Sequence, residues 1–298
     1  MTTLLENVLG GLALGSVYAL VALGFVIVFK ASGVINFAHG SLLLLGGYLT
    51  AVLHEHLGFA GALAVALAAT ALAAGALDRL LTLRGDRDPQ AANVQTIVTI
   101  GVDIVLVTDL TRRIGGDLLT LGDPWGDSVS TFGPVTVADS RIAAVAVSAV
   151  VIAGVFALFR FTRWGLSLRT AAEDLEAAAL MGVRLGRVRT LAWCLAGALA
   201  ALAAVFLAAF PSPGLEATTG QIALKAFPAA VLGGMASPTG ALAGSLLIGL
   251  TEALVAGYQS ELHVLGQGFA DVAPYAVMIL VLLVRPTGLF GARGAARV

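Results

Sequence analysis

The chain has 298 residues, of which 58% are hydrophobic and 12% charged, whereas a soluble domain carries about 25% charged residues. With a mean hydropathy of +0.95, this composition excludes a water-soluble core and points to a single membrane domain over residues 1–298. The formal net charge of -1 offers no basic surface for nucleic acid, and the lone cysteine, Cys194, can form no internal disulfide.

Nine apolar stretches follow one another, at residues 7–29, 37–53, 58–77, 91–111, 142–159, 190–210, 222–234, 239–256 and 268–284. Backbone groups in lipid must be bonded within their own segment, and these runs are continuous rather than alternating, so they read as helices and not barrel strands. The expected fold is all-α: a polytopic transmembrane helical bundle of about eight spans, with broken helices and a cytoplasmic coupling helix. The first stretch lacks a basic n-region and a nearby cleavage site, and is expected to stay in the mature protein.

The first break is SGVINFAHG at 32–40, rich in residues that favour turns and caps. Here Asn36, Phe37, His39 and Ser41 are candidate pathway residues. A lone histidine such as His39 is by default a hydrogen-bonded packing residue, and no second His or Cys stands at metal-ligand spacing. No metal or cofactor is expected. In the fourth stretch, QTIVTIGVDIVLV, the residues Gln95, Thr96, Thr99 and Asp103 recur at helical spacing and form one polar face. Such a face meets either water and solute or another polar group. Asp103 could line a route or pair with Lys225, since an ionisable residue at this depth needs a reason. Asp109 and Glu252 lie nearer the outer ends and are expected to be solvated or capped. The connection at 113–140 holds Asp117, Asp123, Asp127 and Asp139 among Gly and Pro, and some turn or short hairpin is expected within it.

The connection at 160–189 contains a helix signature. Thr170 and Glu173 have capping-box spacing, Glu173, Asp174 and Glu176 sit where a helix N-terminus favours anions, and Gly182 stands where a left-handed terminator is wanted. A helix is predicted over 171–181. Leu175, Ala178 and Ala179 share one face, small enough for close approach by a docking partner. Beyond it, the run at 222–234 is too short to cross the hydrocarbon, and GGMASPTG at 233–240 separates it from the next. It reads as a half-helix, with Gly233 and Gly234 at the second break. Paired interruptions in two halves of a chain point to a transport pathway, because irregular backbone at depth survives only against protein or a water-filled cavity.

No ATP site is present in the sequence: a phosphate-cradling loop needs Gly before its Lys, whereas Lys30 follows Phe29 and Lys225 follows Leu224. Any ATP-driven work therefore requires another subunit. An ion-coupled secondary transporter, with Asp103 as coupling site, is the alternative; it would not need a docking helix.

The stretch GLALGSVYALVALGFVIVFKASGVINFAHGSLLLLGGYL at 11–49 resembles the N-terminal signature of LivH-type branched-chain amino acid permeases. RWGLSLRTAAEDLEAAALMGV at 163–183 is similar to that family's coupling segment, KAFPAAVLGGMASPTGALAGSLLIGLTEAL at 225–254 to its broken helix, and LVRPTGLFG at 283–291 to its C-terminal end. The resemblance implies a permease in the bacterial plasma membrane, working with a second related permease, two ATP-binding subunits and an extracytoplasmic solute-binding protein. It also implies branched-chain amino acids or related small polar solutes, such as urea or amides, as cargo. Thr170, Glu173, Leu175, Glu176, Ala178, Ala179 and Gly182 then carry ATPase coupling. Where many members have an acidic residue after AHG, this chain has Ser41, which leaves the cargo open.

With the N-terminus outside and strict alternation, thirteen of the 17 Lys and Arg residues fall in cytoplasmic connections, among them Lys30, Arg84, Arg87, Arg160, Arg169, Arg189, Arg293 and Arg297. Only Arg112, Arg113 and Arg141 fall outside. A cytoplasm-active reporter fused after Arg293 is therefore expected to be active, and one inserted at 113–140 inactive; the reverse pattern overturns the orientation.

Overall fold

The computed structural model describes residues 2–83, 91–126, 128–132, 135–210, 214–261 and 268–291. Arg84, Arg87, Asp127, Arg293 and Arg297, which entered the sequence reading, lie outside the described residues. Among the described residues, six helices are long and apolar enough to cross a membrane by length and composition.

The bundle is built around α1 (Thr2–Ser32). This helix is apolar all round, and Val17 to Val28 are almost wholly buried, as expected of a helix with no polar face to turn outward. It packs on α10 (Pro238–Gly257) by close backbone approach: a side chain on Gly15 would collide with the backbone of Leu246. Without a strong hydrophobic drive between helices in lipid, such small-residue contacts supply the packing.

The stretches at 37–53 and 58–77 belong to one helical element, α2 (His39–Thr82). Its backbone leaves helical geometry at Gly58, with φ 68° and ψ 167°, a conformation that suits glycine. Gly46 lies beside Thr70, although 24 residues of unbroken helix would hold them about 36 Å apart. The chain therefore reverses at Gly58, and α2 provides two antiparallel spans. The second arm packs against α7 (Leu185–Leu207), where Gly197 sits on the Thr70 carbonyl and leaves no room for a Cβ.

The remaining spans are more peripheral. α3 (Ala91–Ile114) is largely exposed, with Ile97, Ile104 and Val105 facing outward. The connection after it contains the expected hairpin, β1 (Val129–Phe132) paired antiparallel with β2 (Val135–Ala138) in the register Val129 to Ala138. α4 (Asp139–Phe161) follows directly. α11 (Phe269–Val284) is shorter. The full-length spans are then α1, the two arms of α2, α3, α4, α7, α10 and α11, in agreement with the expected bundle of about eight, and the broken segment between α7 and α10 carries the chain back from the Leu119 end to the Lys30 end.

Two boundaries differ from expectation. The predicted helix at 171–181 is divided into α5 (Arg163–Glu173) and α6 (Leu175–Leu180). Thr170 does not cap a helix; it lies inside α5 with its hydroxyl donating to the Leu166 carbonyl at 3.0 Å. α5 begins at Thr162, which accepts from the Gly165 N–H, and Asp174 takes an extended conformation and accepts from the Glu176 and Ala177 N–H groups at 2.9 and 3.0 Å. A carboxylate one residue beyond the capping box is a good N-cap and ends α5. Gly182, at φ 80°, does terminate the helix, with the Gly182 and Val183 N–H groups returning to Ala179 and Ala178. The half-helix at 222–234 is likewise two short helices, α8 (Thr219–Leu224) and α9 (Ala226–Gly233), joined at Lys225.

Arg189, counted from sequence with the connection charges, is buried. It pairs with Asp78 at 2.5 Å and donates to the Gln95 side chain at 2.8 Å, while Thr190 donates to the other Asp78 oxygen at 2.7 Å. One charge pair thus ties α2, α3 and α7. Arg189→Met leaves the Asp78 carboxylate buried without its charge partner and is expected to destabilise by about 3–5 kcal/mol. Asp78→Leu with Arg189→Met should recover most of that loss in detergent melting, and a double variant no better than the single one overturns the assignment.

Candidate functional site

Helix α1 stops because Gly33, at φ 68°, turns the chain out of helical geometry. The segment between α1 and α2 is then left with amides that have no helical acceptor, deep among apolar side chains. The polar face of α3 supplies the acceptors. The Ile35 N–H donates to Thr96 Oγ1 at 3.2 Å, the Phe37 N–H to Thr99 Oγ1 at 3.1 Å, and the Ser41 N–H to Asp103 Oδ1 at 3.2 Å. Ser41 lies in the first turn of α2, where amides are unpaired and an anion is favoured. Its own hydroxyl is turned inward and donates to the Ala38 carbonyl at 2.9 Å.

The sequence grouped Gln95 with this row, but its side chain is drawn to Arg189 instead. Asn36 and His39 are fully buried, and their side-chain polar atoms form no well-shaped hydrogen bond. His39 packs on Phe25 with ring centroids 4.7 Å apart, so it is a packing residue. Phe25 and Phe37 both contact Phe227 of α9, at 5.5 and 5.7 Å. Gly40 also lies against the Gly220 carbonyl of α8. The first break and the half-helix region are therefore side by side. Gly233 and Gly234 lie elsewhere, packed against α10 and the turn at 287–291, where the Leu289 and Phe290 N–H groups donate to Leu232 and Gly233.

Beside the Gly40 and Gly220 contact lies a cavity of about 610 Å³, lined by Asp103 and Val107 of α3, by Thr218, Gln221, Ile222, Leu224 and Lys225 around α8, and by Asp271 and Tyr275 of α11. Its size falls within the usual range for small-molecule sites, about 300–1,000 Å³. Lys225 does not pair with Asp103. Its ammonium donates to Glu252 Oε1 at 2.8 Å and Asp271 Oδ1 at 2.6 Å, and the Tyr18 hydroxyl donates to Glu252 Oε2 at 2.8 Å. Glu252, expected to be solvated or capped, is buried within this network, whereas Asp109 is on the surface with Arg112 and Arg113. Lys225 and Asp271 also line a second cavity of about 440 Å³, with Glu6, Asn7 and Arg141 on its far side. The pair is a wall shared by two cavities.

Asp271 and Tyr18 were not singled out from sequence. Asp271 stands at the edge of an apolar run, where a solvated carboxylate is unremarkable, and nothing local marks Tyr18 as the partner of a residue 234 positions away. The two carboxylates and one ammonium around Lys225, with Asp103 across the cavity, leave an excess of negative charge.

The holding role of Asp103 has a direct test. Asp103→Asn keeps an acceptor for the Ser41 N–H, whereas Asp103→Leu removes it and is expected to cost about 1–3 kcal/mol. Detergent melting should rank wild type and the Asn variant above the Leu variant, and equal stability of all three overturns the role.

A family model described as "Branched-chain amino acid transport system / permease component" matches residues 7–282. The chain is 33% identical over 313 residues to the high-affinity branched-chain amino acid transport system permease protein LivH of Escherichia coli (strain K12), covering 96% of this chain and 95% of that protein. It is 32% identical over 304 residues to the corresponding protein BraD of Pseudomonas aeruginosa, with the same coverage. Among solved structures, a chain of PsaBC from Streptococcus pneumoniae in complex with Fab aligns with a TM-score of 0.44 and 15% identity, over 95% of this chain and 89% of that one.

Proposed function

Because the chain belongs to the branched-chain amino acid transport permease family, we propose that it forms part of the membrane core of an ATP-driven importer for branched-chain amino acids or closely related small solutes. The observation that carries this reading is the family match over nearly the whole chain, 7–282. The working assembly contains a second related permease, two ATP-binding subunits and an extracytoplasmic solute-binding protein. ATP hydrolysis comes from the ATP-binding subunits, in keeping with the lysine contexts of this chain. The N-terminus lies outside and the C-terminus in the cytoplasm, as the distribution of Lys and Arg favours.

The route passes the cavity bounded by Asp103, Lys225 and Asp271 and then the break at 33–38. Its surplus of carboxylates suits the ammonium group of an amino acid, while Val107, Ile222 and Leu224 offer an apolar wall to a branched side chain. Asn36, Phe37, His39, Thr96 and Thr99 form the layer next to this cavity. The alternative of an ion-coupled carrier is less well supported, because the Asp103 carboxylate is engaged in holding the start of α2.

Coupling to ATP hydrolysis falls to the α5–α6 segment. Ala178 is turned inward, and Leu175, Ala179, Leu180 and Met181 are exposed. The docking face is therefore reassigned to these four, with Asp174 rather than Thr170 holding the start of α6 and Gly182 its end. Glu173 and Glu176 flank that start. Ala179→Trp should block close approach and abolish uptake of labelled leucine by the reconstituted complex while leaving membrane insertion unchanged. A well-expressed Ala179→Trp complex with normal uptake and normal substrate-stimulated ATP hydrolysis overturns the docking role.

A further inference from the structure

At the end of the bundle opposite the Lys225 network, the ends of α1 and α4 and the middle of α5 enclose a cavity of about 820 Å³. Three cations line it, Lys30, Arg160 and Arg169, beside an apolar wall that includes Ala153, Phe156 and Ala157 of α4. Arg160 rests on the Phe161 ring at 5.7 Å. Among the described residues, none of the three cations has a carboxylate within 4.0 Å. Glu173 is the acidic group within electrostatic reach of Lys30, where Arg169 opposes it. The cluster therefore keeps an excess of positive charge at the margin of an apolar span. α4 is poorly covered by the rest of the chain and contributes Phe156 and Phe159 to the cavity, so the site is charged at one end and greasy along its side.

We propose that this cavity binds one anionic glycerophospholipid, its phosphate held by Lys30, Arg160 and Arg169 and an acyl chain laid along Ala153, Phe156 and Ala157. The charge pattern selects an anionic headgroup, because a zwitterionic one would bring a second ammonium or choline group into a basic cluster. The apolar wall selects a lipid over a free phosphate, which would leave Phe156 and Ala157 uncovered. Basic pockets between transmembrane helices are known to take such headgroups. The inference depends on membrane embedding and not on which solute the protein carries.

The test uses the full transporter complex, purified in mild detergent and exposed to equal amounts of phosphatidylglycerol and phosphatidylcholine, with bound lipid read by native mass spectrometry. Phosphatidylglycerol should be retained selectively. Lys30→Gln, Arg160→Gln or Arg169→Gln should each weaken its retention about five-fold, the effect of one charge near an anionic surface. Ala153→Trp keeps all three charges and should weaken retention by filling the apolar wall, with normal melting of the lipid-free complex as the folding check. Inorganic phosphate at millimolar concentration should not displace the lipid. Equal retention of the two lipids, retention unchanged in the charge variants, or full displacement by inorganic phosphate each overturns the proposal.

Discussion

Much of this structure follows from one requirement: the amides set free where α1 ends must find acceptors in a place without bulk water. An unsatisfied backbone group costs several kcal/mol in hydrocarbon, so a break of several residues is tolerated only if another element supplies the missing oxygens. Thr96, Thr99 and Asp103 do so from a single stripe of α3. That stripe explains why a helix with little other burial, and with Ile97 and Ile104 facing outward, keeps a fixed rotation. It also explains why the start of α2 can sit beside a cavity without a local cap of its own, since Ala38 offers no side-chain acceptor.

The second constraint is charge. Lys225 in the short-helix region would be costly alone, and the same holds for Glu252 in α10. Placed within 2.8 Å of each other, with Asp271 and Tyr18 completing the donors and acceptors, they become affordable. The network does not end in the core. It runs from buried Tyr18 to Asp271, which is mostly exposed, so one end is satisfied by protein and the other by water.

Length and apolar continuity made the spans legible in the sequence, because a helix that must satisfy its own backbone in lipid leaves little room for another pattern. The break at 32–40 and the polar face of α3 were legible for the same reason, as departures from that pattern. Partner choice was not. Asp103 and Lys225 looked like a pair because both are ionisable at depth, yet which carboxylate reaches Lys225 is decided by the approach of α10 and α11, and nothing local encodes it. Gln95 shares the helical spacing of Thr96 and Thr99 but turns to Arg189, a stronger donor brought by α7. In the α5–α6 segment the capping box at Thr170 and Glu173 was a true local signal overruled by its neighbours. Thr162 had already started the helix, and the Asp174 carboxylate offered the next helix a better cap.

The contacts also divide the bundle by how they can change. α1 with α10, and the second arm of α2 with α7, meet through glycine at backbone distance, and any sliding there drives atoms into one another, because packed interiors are as dense as organic crystals. Where they border the cavity, α3 and α11 are attached differently, by Thr96, Thr99 and Asp103 on one side and by Asp271 on the other, although α3 is also held at Gln95 by Arg189 and at Leu110 and Ile114 by apolar packing. A hydrogen bond or ion pair at a wet boundary can be traded for one to water or solute at a small net cost, about 0.5–1.5 kcal/mol for a neutral pair. Parting the polar contacts that border the cavity therefore costs less than separating the glycine-packed core itself. The elements that carry the polar contacts are also those that line the cavity, so a solute that replaced those contacts would act on α3 and α11 directly.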